Sequence, residues 1–335
     1  MLPFKLIYSD GYYLPIGEHV FPAHKFRLIH NQLLQEGIAG AEDFLEPEPA
    51  SDDDVRLAHT SDYVGKLKNG TLSPREELQM EVPYSLALVQ SFWLAAGGTI
   101  SAAEHALRDR VAFQIGGGFH HAFPDHGEGF CMINDIAIAI RRMQKDRKIK
   151  RAMTVDCDVH QGNGTAVIFA PQDSQAQPLP AWSRATMSRI GPTSDMESFE
   201  GDVFTISLHQ ENNYPAWKPP STIDVNLPDG TTDDEYLSWL ENALSAGLRQ
   251  FDPELLCYVA GADPYKEDQL GGLMLTIEGL KQRDLLVFKA AKARGIPVMV
   301  TFAGGYAQNV LDTITIHCNT VLAAQGVFAP VASKR

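Results

Sequence analysis

Two adjacent histidines, His120 and His121, follow three glycines in the segment GGGFHHAF, residues 116–123. An imidazole changes its charge close to neutral pH, so a pair of them can serve proton transfer. Neighbouring side chains on a strand point to opposite faces, so a strand could not direct both rings at one target. The glycine run predicts an irregular, tightly turning loop in which both histidines approach the same point.

A second cluster, DCDVH at residues 156–160, has the residue types of a cation site. In extended backbone, residues two and four positions apart share a face, so Asp156, Asp158 and His160 are predicted to project together. Asp263 follows a different apolar segment and can complete the set. Asp158, His160 and Asp263 would give three protein ligands with one open position, which is typical of a catalytic zinc site.

These polar clusters follow short apolar segments with the length and composition of buried strands. The predicted strands cover residues 5–9, 111–117, 151–156, 203–209, 255–261 and 297–305, and predicted helices lie at 85–107, 133–145, 233–251 and 276–295. This alternation indicates an α/β fold, a single domain over residues 1–335 with a central parallel sheet and helices on both faces. Ligands bind at the carboxyl ends of parallel strands, so the polar clusters are predicted to meet there.

Residues 171–202 are polar and rich in proline and serine. Structureless segments of this length are uncommon inside a compact domain, so we predict a surface insertion. The preceding segment, residues 164–170, should carry the chain back to the amino ends of the strands. The insertion would then lie away from the metal and serve self-association into a homo-oligomer, or contact with a partner, rather than cover the site.

Composition and charge exclude several other classes of protein. The net charge of −14 argues against a nucleic-acid backbone as a partner. No apolar run reaches the roughly 18 residues of a membrane span, and the amino terminus lacks the pattern of a secretory signal. The four cysteines are far apart, so neither a structural zinc site nor a disulfide framework is indicated. We therefore expect a cytoplasmic protein that contacts neither nucleic acid nor membrane.

The order of the motifs resembles the zinc-dependent histone deacetylases, which have the arginase–deacetylase fold. The motifs that carry this resemblance are FPAHKFRLI (21–29), HTSDYV (59–64), GGGFHHAF (116–123), GEGFCMINDIAIA (127–139), VDCDVHQGNGT (155–165), GADPYKEDQLGGL (261–273) and AGGY (303–306). The FPAHKFRLI and DVHQGNG segments are most similar to class IV enzymes and their bacterial relatives. The resemblance spans most of the chain.

The resemblance implies a role for each matching residue. It gives catalytic roles to His120, His121, Asp156, Asn163 and Tyr306, and zinc ligation to Asp158, His160 and Asp263, where Fe²⁺ is an alternative ion. It assigns the acyl-lysine channel to Gly129, Phe130 and Tyr214, and a structural potassium site to Asp156, Asp158, His160, Ser207 and Leu208. Many members of the family have aspartate where this chain has Asn163, which would leave His121 without a charged partner and able to act as base and then as acid.

The implied reaction is hydrolysis of an acyl-lysine amide by metal-activated water, with His121 transferring the proton and Tyr306 donating to the oxyanion. The acyl group is acetyl or longer, and the substrate is a protein or peptide; acylated small amines such as acetylpolyamines remain the alternative. An arginase-type enzyme would need a second metal, but Asp263 and Asp268 are five positions apart instead of two. An inactive binding module would require a lost ligand or tyrosine, and all are present.

Overall fold

The computed structural model describes residues 1–170 and 201–329, which fold around one parallel sheet. Its strands are β1 (Lys5–Ile7), β2 (Phe44–Leu45), β3 (Val111–Gln114), β4 (Arg151–Asp156), β5 (Asp202–Gln210), β6 (Ile223–Leu227), β7 (Leu255–Val259) and β8 (Val298–Thr301). They lie in the order β2-β1-β3-β8-β7-β4-β5-β6, and every neighbouring pair is parallel. The predicted α/β class is confirmed, and the six predicted strands correspond to β1, β3, β4, β5, β7 and β8.

The sequence did not predict the two edge strands, β2 and β6. β2 has only two residues, both half-buried. In β6 four of the five residues are half-buried or exposed, so it lacks the continuous apolar run of a strand that is covered on both faces. Edge strands carry a weaker hydrophobic signal because one side of their backbone has no neighbouring strand.

Two layers of helices cover the sheet. The helices are α1 (Lys25–Gln35), α2 (Asp52–Val55), α3 (Ser61–Asn69), α4 (Pro74–Met80), α5 (Leu86–Asp109), α6 (Asp135–Lys145), α7 (Asn163–Ile168), α8 (Asp233–Gln250), α9 (Ile277–Ala293) and α10 (Val310–Phe328). One layer contains α2, α3, α5, α6 and α7, and the other contains α1, α8, α9 and α10, with contacts running within each layer. The central strands between them are largely buried on both faces, as the sequence indicated.

Helix α5 is the central helix of its layer. It begins where the Ser85 side chain accepts a hydrogen bond from the backbone of Leu88, and it packs against β1, β3, β8 and α6. By length and composition alone this helix could cross a membrane, so the expectation that no apolar segment is long enough was wrong. The apolar stretch is nevertheless 67% buried inside the fold, as in the core helix of a soluble protein.

The strand register aligns the ends that carry the polar clusters. In neighbouring strands Gln114 pairs with Thr301, Thr301 with Val259, and Val259 with Asp156. Each of these residues is the last of its strand, so β3, β8, β7 and β4 end side by side. The loops that follow them therefore open onto one common edge of the sheet.

Residues 171–200 of the predicted insertion lie outside the described residues. Its role in self-association therefore stays a prediction. At its carboxyl side the boundary needs a correction, because Asp202 already belongs to β5. Asp202 pairs with Arg151 at the amino end of β4, so the chain returns to the sheet at the edge opposite the polar clusters.

Candidate metal centre and active site

Three side chains that can bind a cation meet beyond the carboxyl ends of β4 and β7. Asp158 and His160 lie in the loop after β4, and Asp263 lies in the loop after β7. Their candidate ligand atoms are all within 4.8 Å of one another, and all three residues are buried. The Nδ1 atom of His160 is 3.1 Å from Oδ1 of Asp158 and 3.3 Å from Oδ2 of Asp263. The structure thus brings together the three ligands named from the sequence.

The backbone that aligns these residues is not the extended strand that the sequence suggested. β4 ends at Asp156, and the next residues bend back onto the preceding carboxylates. The amide N–H of Asp158 donates to Oδ1 of Asp156 at 3.1 Å, and that of His160 donates to Oδ1 of Asp158 at 3.0 Å. The expectation of strand alternation was wrong here, because turns closed by aspartate side chains hold the cluster instead.

The space between the two carboxylates fits a divalent cation. Oδ2 of Asp263 has no hydrogen-bond partner although the residue is fully buried. Burial and the charge of Asp158 raise the pKa of Asp263 to about 7, a repulsion that a cation would relieve. A Cβ atom at Gly304 would lie 1.9 Å from Oδ2 of Asp263 and 2.6 Å from Oδ2 of Asp158. The loop after β8 therefore needs glycine here to leave room for the two carboxylates in these positions.

Replacing Gly304 with alanine should weaken metal binding without unfolding the protein. The new methyl group would occupy the space beside both carboxylates, which must move apart or turn away from the ion. We expect the loss of metal affinity to be at least about tenfold, since changes to residues that only orient metal ligands already cost that much. Equilibrium dialysis followed by metal analysis measures the effect.

The control is Gly326→Ala, because this exposed glycine of α10 has no atom near the position of a new Cβ. It should bind metal as the wild type does. Equal metal affinity in the two variants would contradict the placement of the ion between the carboxylates.

The two histidines come together through the glycine turn predicted from the sequence. Gly117 and Gly118 have φ angles of 75° and 82°, which side chains other than glycine rarely adopt. The carboxylate of Asp135 accepts the amide N–H groups of Gly118 and Phe119, and so holds the turn. The rings of His120 and His121 then lie with centroids 4.1 Å apart, facing one pocket.

His120 has a carboxylate partner and favours the protonated state. Its Nδ1 atom is 2.7 Å from Oδ2 of Asp156, and its Nε2 atom is 3.8 Å from Oδ1 of Asp158. Burial lowers the pKa of His120, but the charges of Asp156 and Asp158 outweigh it and raise the pKa to about 9. His120 therefore places a positive charge beside the reacting region at neutral pH.

His121 has an amide partner and favours the neutral state. Its Nδ1 atom is 2.7 Å from Oδ1 of Asn163, the pairing that the resemblance implied. Burial and the neighbouring positive charge of His120 hold the pKa of His121 well below its ordinary value. Two adjacent histidines thus have opposite protonation preferences, which is the arrangement of an acid–base site.

Tyr306 completes the pocket from the loop after β8. Its backbone N–H donates to Oδ2 of Asp268 at 2.6 Å, so this carboxylate positions the tyrosine. Burial and the charge of Asp263 raise the pKa of Tyr306 well above its ordinary value. The phenol therefore keeps its proton and can donate a hydrogen bond.

The residues predicted to form the substrate channel lie around this pocket. Gly129 and Phe130 line it together with Phe21 and Tyr306. The ring of Tyr214 lies 5.0 Å from that of His121, behind Gly129. A Cβ atom at Gly129 would come within 2.8 Å of the His121 ring and 2.9 Å of the Tyr214 ring, so glycine permits this packing.

Sequence reasoning assigned no role to two residues that belong to this region. Phe21 forms part of the channel wall, with its ring 6.4 Å from Phe130 and 6.2 Å from Tyr306. Lys25 is fully buried beneath the tyrosine, and its Nζ atom donates to the carbonyl of Ala303 at 2.6 Å. A signal for Lys25 existed, because it lies on the buried face of α1 among apolar residues.

A buried acidic and imidazole cluster lies behind the channel wall. His126 has its Nδ1 atom 2.7 Å from Oδ1 of Asp125, and its Nε2 atom lies 3.5 Å from Oε2 of Glu128, which is an ion-pair distance and not a hydrogen bond. Burial lowers the pKa of His126, but its two carboxylate partners outweigh this and raise the pKa to about 9. No pattern in the sequence indicated this cluster.

Replacing His126 with glutamine should make the free energy of unfolding depend less on pH in the alkaline range. The folded-state pKa of about 9 exceeds the ordinary value of 6.5, so the charged histidine stabilises the fold fully below about pH 6.5. That contribution is lost as the pH rises through about 9. Between about pH 6 and pH 10 the wild type should lose on the order of 2–3 kcal/mol more of its free energy of unfolding than the variant does.

Urea unfolding at both pH values measures this difference. Subtracting the loss found for the variant from that found for the wild type cancels the contribution of groups that titrate alike in both proteins. His24→Gln, which removes an exposed imidazole, should behave as the wild type. Parallel pH profiles for wild type and the His126 variant would contradict the ion pairing.

The predicted monovalent-cation residues also lie close to the metal ligands. Ser207 pairs with Asp156 in the register of β4 and β5, and Leu208 follows it in the same buried strand. The hydroxyl of Ser207 lies 2.9 Å from Nδ1 of His209, a buried residue that the sequence did not single out. A potassium ion at this place stays a prediction.

A parallel α/β sheet with a buried Asp–His–Asp group at its carboxyl edge, able to hold a metal ion, is the arrangement expected of the arginase–deacetylase fold. The histone deacetylase domain family matches residues 19–322. The chain therefore belongs to the histone deacetylase family.

Relatives agree with this assignment, and solved structures agree with the fold. An uncharacterized protein of Picosynechococcus sp. is 39% identical over 326 residues, which cover 97% of this chain and 99% of that protein. Histone deacetylase 2 of Arabidopsis thaliana is 31% identical, with 91% and 75% covered. Among solved structures, a histone deacetylase homologue in complex with SAHA matches with a TM-score of 0.73 at 24% identity, covering 96% of this chain and 84% of that one. A homologue from Aquifex aeolicus matches with a TM-score of 0.72 at the same identity.

Proposed function

We propose that this protein is a zinc-dependent deacylase that hydrolyses the side-chain amide of acylated lysine in peptides or proteins. One observation supports this most directly. A buried three-ligand cation site, a neutral histidine and a protonated tyrosine lie together in one pocket with aromatic walls. Asp158, His160 and Asp263 would hold the ion, and Fe²⁺ is the alternative to Zn²⁺.

When bound, the metal would polarise the amide carbonyl and acidify a water molecule. His121 accepts the proton of the attacking water through Nε2, because its Nδ1 atom is engaged with Asn163. Tyr306 donates its hydroxyl hydrogen bond to the developing oxyanion. His121 then returns the proton to the leaving amine, while His120 keeps a positive charge nearby through Asp156.

The aromatic channel supports a lysine side chain as the substrate. Phe21, Phe130 and Tyr306 surround the approach to the metal ligands with ring faces and edges. An aliphatic stem gains free energy when such rings bury it, whereas a polar substrate would leave its groups without partners.

A second candidate substrate is an acylated polyamine. Glu81 follows Met80, whose carbonyl accepts the backbone N–H of Phe130, so Glu81 lies beside the channel wall. Glu81 lies near a second carboxyl group, because partial burial and the charge of Glu128 together raise the pKa of Glu81. Negative charge at this place favours a substrate with a free cationic amine.

A panel of acyl-lysine peptides and acetylpolyamines tests both candidates on the zinc-loaded protein. We expect kcat/KM to be at least about tenfold higher for the best acyl-lysine peptide, a difference of about 1.4 kcal/mol in transition-state binding. If kcat/KM were instead at least about tenfold higher for an acetylpolyamine, the assignment would be reversed. Replacing KCl by NaCl in the same assay tests the proposed potassium site.

A further inference from the structure

We propose that Glu128 is a positioning residue that sets the protonation geometry of His121 through Asn163. The inference rests on the proposed function, because it concerns the histidine that transfers the proton. Glu128 lies in the loop before α6 and is not part of the cation site or of the pocket lining. It lies inside the motif GEGFCMINDIAIA, but the resemblance assigned it no role.

Glu128, Asn163 and His121 form a continuous chain of hydrogen bonds. The side-chain amide of Asn163 donates from Nδ2 to Oε1 of Glu128 at 2.8 Å. Its Oδ1 atom lies 2.7 Å from Nδ1 of His121 and accepts the backbone N–H of Gly164 at 3.1 Å. Every polar atom of the asparagine side chain is therefore engaged.

The carboxylate of Glu128 and the backbone N–H of Gly164 together decide the direction of this chain. An ionised carboxylate can only accept hydrogen bonds, so the NH₂ group of Asn163 must face Glu128. The oxygen of the amide must then face His121, and the Nδ1 atom of the histidine must carry a proton. The Nε2 atom of a neutral His121 consequently has the free lone pair, and it is this atom that must act as the base.

Glu128 has the surroundings that keep it ionised. Burial raises its pKa, but the nearby His126 and the hydrogen bonds from Tyr214 and Asn163 outweigh this and hold the pKa below its ordinary value. Its side chain is only 19% exposed. An aspartate at position 163 would place a negative charge directly beside His121. Here Glu128 supplies that charge, with the side-chain amide of Asn163 between the two.

The same carboxylate oxygen also fixes a wall of the channel. The hydroxyl of Tyr214 donates to Oε1 of Glu128 at 2.8 Å, and the Tyr214 ring packs against His121. The backbone of Glu128 is held in turn by paired hydrogen bonds with Cys131, across Gly129 and Phe130 in left-handed conformations. One rigid loop therefore orients both the base and the tyrosine beside it.

Kinetics of Glu128 variants test the proposal on the zinc-loaded protein. Glu128→Ala should lower kcat about tenfold with KM within about twofold, since general bases contribute about 10²–10⁴-fold and only part of this depends on orientation. Glu128→Gln keeps an oxygen that can accept from Asn163, and it should retain at least about a third of the wild-type kcat. The matched control is Glu76→Gln. It removes a carboxylate that pairs with Lys66 and lies outside the chain of hydrogen bonds.

A double-mutant cycle separates positioning from a general loss of structure. If Glu128 acts through Asn163, adding Glu128→Ala to Asn163→Ala should change kcat by less than about twofold. Full additivity of the two effects, or a Glu128→Ala variant within about twofold of wild-type kcat, would overturn the proposal.

The tautomer of His121 gives a readout that needs no substrate. Long-range ¹H–¹⁵N spectra of histidine-labelled, zinc-loaded protein, assigned with His121→Asn and recorded at a pH where the ring is neutral, report which nitrogen carries the proton. We expect the proton on Nδ1 in the wild type and a mixture of tautomers in Glu128→Ala. A wild-type proton on Nε2 overturns the proposal even if every assay finds deacylase activity, whereas absent activity with the proton on Nδ1 contradicts only the proposed function.

Discussion

Asp263→Asn is expected to abolish metal binding and activity while leaving the fold intact. The substitution removes one of only two carboxylates in the three-ligand set, and a neutral amide oxygen is a much weaker ligand for a divalent cation. Substitutions of residues that merely orient a ligand cost about 10–100-fold in metal affinity, so the loss of a ligand should exceed about 100-fold. Metal analysis after dialysis and kcat/KM on an acyl-lysine peptide measure both effects.

The metal-free variant should be at least as stable as the metal-free wild type. Asp263 is fully buried beside Asp158, and the amide removes their repulsion while its oxygen can still accept the backbone N–H of Val159. Adding zinc should therefore raise the Tm of the wild type but not that of the variant, because only the wild type gains the binding free energy.

Asp252→Asn is the matched control, since this aspartate lies just before the amino end of β7 and its side chain is 88% exposed. It should bind one zinc ion and keep its activity. Retention of zinc and activity by the Asp263 variant, or binding of two metal ions per wild-type chain, would contradict the three-ligand site.

Tyr306→Phe is expected to lower kcat by about 10²–10³-fold with the metal still bound. The substitution removes only the hydroxyl that would stabilise the oxyanion, and loss of one such donor typically has an effect of this size. The aromatic ring and the hydrogen bond from the Tyr306 backbone to Asp268 remain, so the channel should keep its shape. KM should change by no more than about threefold, because the hydrogen bond strengthens chiefly in the transition state.

Tyr265→Phe provides the comparison for this second variant. Tyr265 lies two residues after Asp263, but its hydroxyl is directed to Asp312 at the start of α10, 3.3 Å away. Its loss should leave kcat within about twofold of the wild type. If Tyr306→Phe were equally mild, another group would have to be the oxyanion donor.

The sequence predicted the elements whose signals are local. A buried strand such as β7 is a continuous apolar run, and it could be recognised without knowledge of its neighbours. The edge strand β6 was missed, because a half-exposed strand lacks a continuous apolar run. The turns after Asp156 were misread as extended strand, because a turn closed by side chains has no regular hydrophobic period.

The identities of the site residues followed from the order of their motifs, while their contacts could not. The resemblance paired His121 with Asn163, but nothing in the sequence linked either of them to Glu128. The spacing of Asp263 and Asp268 was judged wrong for a second metal, and in the structure Asp268 holds the backbone of Tyr306. Such roles depend on which atoms face each other, and spacing along the chain does not encode this.

By itself, the sequence determined the fold class, the family and the residue types that can bind a cation and transfer a proton. Only the tertiary structure decided how they meet, because the strand order β3-β8-β7-β4 is not the order along the chain. That order brings the loop after β7 between the loops after β4 and β8, so that Asp263 reaches His160 and lies beside Gly304. Burial there then separates the protonation of two adjacent histidines, His120 and His121, because desolvation and nearby charge act on each ring according to its own partner.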